Sequence, residues 1–90
     1  MEERFALAAF RSRQQVMRFD SALRRSGVAT QIISTPKDIQ VGCGLSVRFE
    51  AGDAKKAQEV YRRYNPGNLI GFYLFTRRPG ESKGRITPLT

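Results

Sequence analysis

RFALAAFRSRQQ, residues 4–15, decides the fold, because the spacing of its apolar residues changes from that of a strand to that of a helix. Residues 4–10 alternate, which predicts a strand with Phe5, Leu7 and Ala9 on the core face. Ser12 stands three residues before Gln15, the spacing of a capping box, and predicts the start of a helix. That helix is expected to end at Gly27 and to bury a stripe formed by Val16, Met17, Phe19 and Leu23.

The rest of the chain repeats this alternation. Residues 28–35, 45–50 and 69–76 predict three further strands, and Pro36 stops the first of them. A second helix is expected after a cap at Asp53, with an inner stripe of Ala54, Ala57, Val60, Tyr61 and Tyr64, and a break at Asn65-Pro66-Gly67. The order strand-helix-strand-strand-helix-strand predicts an α+β, ferredoxin-like sandwich, with a four-stranded antiparallel sheet and two helices on one face. We assign residues 1–76 to this single domain and residues 77–90 to a basic, flexible C-terminal tail.

The last predicted strand is apolar on both faces. Ile70, Phe72 and Leu74 share one face, while Leu69, Tyr73 and Phe75 share the other. Because only one face of the sheet can meet the helices, the second must be covered by the tail, by a second copy or by a partner. We expect a homodimer through this open face.

Three connections are expected to meet at one end of the sheet. In a ferredoxin-like topology each strand-helix-strand unit joins two strands that run the same way. Residues 10–12, 36–44 and 65–68 therefore share one end, and Cys43 is expected near the N-terminus of the first helix.

Composition limits the chemistry that the chain can perform. The formal net charge is +8, from 16 Lys and Arg against 8 Asp and Glu, which favours nucleic acid, an acidic protein or a small oxyanion as partner. With no histidine and one cysteine, the chain by itself excludes a tetrahedral zinc site and serine–histidine or cysteine–histidine catalysis. We expect no metal and no cofactor. A lone cysteine, no apolar run of membrane-spanning length and no secretory signal predict a cytoplasmic protein without a membrane partner.

Cys43 is the candidate reactive residue, in the stretch QVGCGLSV at residues 40–47. A helix start and basic neighbours favour a thiolate, the form of cysteine that attacks and carries sulfur. Glycines on both sides would let a partner approach the sulfur closely. The expected site combines Cys43 with anion- or partner-binding residues, namely Arg11, Ser12, Arg13, Lys37, Gly42 and Gly44. The alternative is that Cys43 is a small buried apolar residue and the glycines only shape a turn.

The stretch from Phe10 to Glu50 resembles the selenium/sulfur carrier protein-like family of small bacterial domains. The most specific part is CGLSVRF at residues 43–49, with Pro36 upstream. The residues that carry the resemblance are Phe10, Ser12, Ala22, Leu23, Gly27, Pro36, Cys43, Gly44, Leu45 and Arg48. Gly42 departs from it, since a small polar residue is expected there.

The resemblance implies that Cys43 holds sulfur or selenium as a persulfide or selenosulfide. A protein donor would supply the atom and a protein acceptor would take it, so the chain would be a carrier rather than a self-contained enzyme. The alternative is a basic module that binds protein or nucleic acid, with Cys43 incidental. Specific RNA stacking is not expected, because the face of the third strand assigned to solvent carries Ser46, Arg48 and Glu50 and has no aromatic platform. On the first strand that face carries Arg4, Ala6, Ala8 and Phe10.

Overall fold

A computed structural model describes residues 2–39, 42–64 and 67–89. Within these residues the chain forms two α-helices and one five-stranded antiparallel sheet. The strands are β1 (Glu3–Phe10), β2 (Thr30–Ser34), β3 (Leu45–Phe49), β4 (Leu69–Arg77) and β5 (Arg85–Pro88). The helices are α1 (Arg13–Arg25) and α2 (Ala54–Tyr64), and a 3-10 turn, Ala51–Asp53, leads into α2.

The strand order in the sheet is β2-β3-β1-β4-β5. Because β3 pairs antiparallel with both β1 and β2, the strands on either side of α1 run the same way. The same holds for β3 and β4 around α2, since both are antiparallel to β1. The α+β class is therefore confirmed.

The prediction of four strands was wrong, because the segment assigned to a tail supplies the fifth. Ile86 of β5 lies opposite Phe75 of β4, and the N–H of Leu89 donates to the carbonyl of Phe72 at 2.8 Å. Gly84 lies against the ring of Phe75, where a Cβ would collide with it. The strand was not predicted from the polar, turn-rich composition of this segment, because its apolar residues are few and lie far apart.

The face assigned to β1 was also wrong. Ala6, Ala8 and Phe10 face the helices, whereas Phe5, Leu7 and Ala9 lie on the other face. The small alanines fit the helix side because their neighbours there are large: Ala6 pairs with Phe49 and Ala8 with Phe72. Alternation alone cannot show this, since both sets of β1 side chains are apolar and both are buried.

A β-bulge changes the faces of β4. The register shifts between Ala9 and Phe10, which pair with Gly71 and Leu69, so that Ile70 is the extra residue. Leu69 consequently packs on the helix side and Ile70 on the opposite side, the reverse of the strict alternation predicted from sequence.

The second face of the sheet is largely covered within the chain. Leu7 and Ala9 are buried, and Ile39 and Ile86 belong to the same apolar cluster. The Phe5 ring stacks on Phe75 with centroids 4.7 Å apart. The homodimer expected through this face stays a prediction, and the burial of β1 within one chain removes part of the argument for it.

Candidate functional site

The backbone around Cys43 binds the end of β1. Cys43 N–H donates to the carbonyl of Phe10 at 3.2 Å, and Thr35 N–H donates to the carbonyl of Gly44 at 2.8 Å. The first bond ties the connection between β2 and β3 to the point where β1 passes into α1, and the second joins the two ends of that connection to each other. The predicted placement of Cys43 beside the start of the first helix is confirmed by the first of them.

The third connection reaches the same end of the sheet. Arg11 N–H donates to the carbonyl of Asn68 at 2.8 Å. Asn68 takes a positive φ of 58°, a conformation that asparagine tolerates better than most residues. Gln40 and Val41, and the predicted helix break at Asn65 and Pro66, lie outside the described residues.

The Cys43 side chain is half-buried and packs against the main core. Its Sγ donates to the carbonyl of Leu45 at 3.7 Å, a weak hydrogen bond within the same turn. The structure thus combines both sequence interpretations: the thiol contacts the core and keeps an accessible side.

Gly42 has a structural role that the sequence interpretation did not contain. Its φ is 107°, and a Cβ at this position would lie 2.6 Å from the carbonyl oxygen of Phe10 and 2.5 Å from Cδ1 of Ile70. A serine, the kind of residue the resemblance leads one to expect, would therefore collide with β1 and with the bulge of β4. The absence of a side chain lets the loop approach Phe10 closely enough for the Cys43 bond.

Gly44 differs although it also has a positive φ, of 85°. No atom of the residues that the structure describes lies within 4 Å of the place where its Cβ would be. Its backbone conformation favours glycine, while the open space beside it adjoins Cys43. Room for an approaching partner exists on this side of the cysteine.

Ser12 is the N-cap of α1, but the predicted capping box does not form. Its backbone is extended, as an N-cap requires, yet its side chain makes no capping hydrogen bond. The Ser12 carbonyl instead accepts from Gln15 N–H at 3.1 Å and Val16 N–H at 3.2 Å. The Oε1 atom of Gln15 is buried without a partner among the described residues. The box fails because Gln15 turns inward rather than back to the cap.

The predicted basic residues lie on the surface around this end of the sheet. Arg11, Arg13 and Lys37 are all exposed, and no ion pair between described residues involves them. Their charges are thus not neutralised by a carboxylate there. A role for them toward the sulfur stays a prediction, as does one for Ser12.

Sequence reasoning missed the residues that hold the loop in place. Phe10 contributes its carbonyl and Ile70 its side chain, and neither role leaves a mark in a hydrophobic pattern. The Gly71 that follows Ile70 inside an apolar strand was the available signal, since glycine within a strand often marks a bulge.

Because the face of β1 assigned to solvent was wrong, RNA stacking is disfavoured for a different reason. The other face carries Phe5, Tyr73 and Phe75. The Phe5 ring is buried, with Phe75 stacked on it and the Arg48 guanidinium 3.9 Å from its centroid. It therefore presents no free face to a base.

Within the described residues, no three side chains among His, Cys, Asp and Glu come together as a metal site would require. Neither described helix is long and apolar enough to cross a membrane.

Fold and site together define a small α+β domain whose single thiol lies on a loop fixed to the first strand. A family model described as "Putative Se/S carrier protein-like" matches residues 5–67. The chain belongs to this family, so the resemblance is confirmed, and the match continues through α2. Comparisons with curated proteins and with solved structures gave no match.

Proposed function

We propose that the protein carries sulfur or selenium on Cys43, as a persulfide or selenosulfide, between a protein donor and a protein acceptor. The supporting observation is that Cys43 lies within the part of the chain that matches a family described as selenium/sulfur carriers. It also lies on a loop that is open on the side of Gly44. The proposal includes a ferredoxin-like core, supported by the order of the first four strands, β2-β3-β1-β4.

Transfer onto Cys43 requires no net oxidation or reduction. The Cys43 thiolate attacks the terminal sulfur of a donor persulfide, and a new bond forms between Sγ and that sulfur. The sulfur–sulfur bond of the donor breaks, and the donor leaves as a thiolate that takes up a proton. Selenium would follow the same course, with a selenosulfide in place of the persulfide. Transfer to the acceptor is the same exchange, with the acceptor thiolate as nucleophile.

The contacts of the site give its residues separate tasks. The Leu45 carbonyl accepts the Cys43 S–H, so this is the proton that must leave before attack. Phe10 and Gly42 hold the loop in position through the backbone. The terminal anion would then lie near Arg11, Arg13 and Lys37, and near the first turn of α1, where the Ser12 side chain makes no capping hydrogen bond.

The test is loading of the purified protein by a cysteine desulfurase supplied with L-cysteine. Intact mass spectrometry should show a gain of one sulfur atom near neutral pH, and L-selenocysteine should give a gain of one selenium atom. Rapid alkylation of the native protein should block both, because the same thiol is used.

The control is Cys43→Ser, which keeps the size of the side chain and should remain folded without gaining mass. The proposal is overturned if Cys43 reacts with alkylating agents only after unfolding. Absence of a sulfur adduct on the folded protein would contradict it equally.

A further inference from the structure

Two apolar residues that helical spacing places in the core lie on the surface instead. Met17 of α1 is 43% exposed and Tyr64, at the end of α2, is 49% exposed. Both line a groove of about 620 Å³ between the helices, whose floor includes the buried Phe19. Exposed methionine is a frequent feature of protein-binding surfaces, because its flexible thioether adapts to different partners.

The same groove is positively charged. Arg18 and Arg25 line it, and none of the described residues of its lining has a carboxylate. The nearby acid Asp20 does not neutralise them, since its carboxylate accepts from Thr30 and pairs with Arg24 at 3.1 Å. A partner that is complementary in charge must therefore bring acidic groups, together with an apolar side chain for Met17 and Tyr64.

The groove reaches the end of the sheet that holds Cys43. Gln14, in the first turn of α1, lines the groove. This turn is preceded by Ser12 and, shortly before it, by Phe10, whose carbonyl accepts from the Cys43 N–H. Tyr64 ends α2 shortly before Asn68, whose carbonyl binds Arg11. A partner seated along α1 would thus extend toward the thiol.

We propose that this groove binds an acidic segment with apolar side chains, belonging to the protein that gives sulfur to Cys43. This part rests on the proposed carrier function. A protein segment is favoured over nucleic acid because Met17 offers no face on which a base stacks, whereas its flexible thioether suits the apolar side chains of a protein.

Binding is measured first, with a short helical peptide that has glutamates on one face and leucine and phenylalanine on the other. Amide shifts of the isotope-labelled protein should move along α1 and at Tyr64. In Arg18→Glu/Arg25→Glu the affinity should fall about tenfold or more, and Met17→Gln should weaken it by a smaller factor. A peptide with serines in place of its apolar residues should bind less tightly.

The matched control is Arg78→Glu/Lys83→Glu, which has the same net charge but changes residues outside the groove. It should bind the peptide nearly as well as the unchanged protein. Circular dichroism shows whether each variant is folded, and Met17→Gln provides a test that involves no change of charge. Equal weakening by the two charge-matched variants would overturn the proposal. So would tighter binding of a single-stranded oligothymidylate in the same groove.

A second measurement separates this proposal from the carrier function. Loading of Cys43 by the desulfurase should be about tenfold slower in Arg18→Glu/Arg25→Glu than in the control variant. Loading by sodium polysulfide, a donor too small to use the groove, should be equal in both. Failure of both donors on every variant contradicts the carrier function, whereas equal desulfurase rates with normal loading contradict only the docking site.

Discussion

Gly42 and Gly44 flank the same cysteine and both have positive φ, yet their surroundings are opposite. A Cβ on Gly42 would collide with Phe10 and Ile70, whereas one on Gly44 would meet none of the described residues within 4 Å. The inner glycine lets the loop join the sheet, and the outer one leaves space beside the thiol. One side of Cys43 is thus fixed by packing and the other is open, a difference that the symmetric letters GCG conceal.

The largest expected effect is that of Gly42→Ala. The added methyl group meets a backbone carbonyl and the left-handed conformation is strained as well, so unfolding should become about 2–4 kcal/mol easier. Urea denaturation measures this difference. A loss no larger than that of Gly44→Ala would show that the two sides of the cysteine are equivalent.

Gly44→Ala should have a smaller effect. Only the conformational strain remains, since no neighbour is displaced, and the loss should be about 1–2 kcal/mol. Gly44→Asn is the matched comparison and should retain more stability, because asparagine visits this conformation more readily. A loss in Gly44→Ala as large as in Gly42→Ala would mean that the open side is in fact packed.

Ser12→Ala should have the smallest effect, although Ser12 follows Phe10 closely. Removing a serine that caps a helix through its side chain costs about 1 kcal/mol, but the Ser12 side chain makes no such bond. The stability should therefore change by less than about 0.5 kcal/mol. Thermal unfolding measures it, and a larger loss would show that the capping box forms in solution. Slower sulfur loading with unchanged stability would instead assign Ser12 to the chemistry.

Much of the fold could be predicted from hydrophobic periodicity. The order of both helices and the first four strands follows from stretches such as residues 4–15 and 45–50, where the spacing of the apolar residues distinguishes strand from helix. Periodicity failed where both faces are buried. In β1 each set of alternating side chains is apolar, so the choice between Phe5 and Phe10 as the helix-facing residue depended on the neighbours in the folded sheet.

The location of the candidate site in the fold could be predicted from the sequence, but only part of its local structure could. Topology placed Cys43 beside the start of α1, because crossover connections bring those loops to one end. The bulge at Ile70, the inward turn of Gln15 and the fifth strand were not predictable in this way. The bulge and the fifth strand depend on contacts between different elements, such as Gly42 with Ile70 and Gly84 with Phe75.

The sequence by itself determined the class of the fold, the order of its first elements, the basic charge, and the presence of a single thiol in a glycine turn. The tertiary structure alone decided which face of β1 meets the helices, that residues 85–88 complete the sheet, and that one glycine beside Cys43 is packed while the other is open. The physical reason is the distance along the chain over which each kind of interaction acts. Backbone preference and periodicity act between near neighbours along the chain, whereas burial and close approach are set by whatever the folded chain brings alongside.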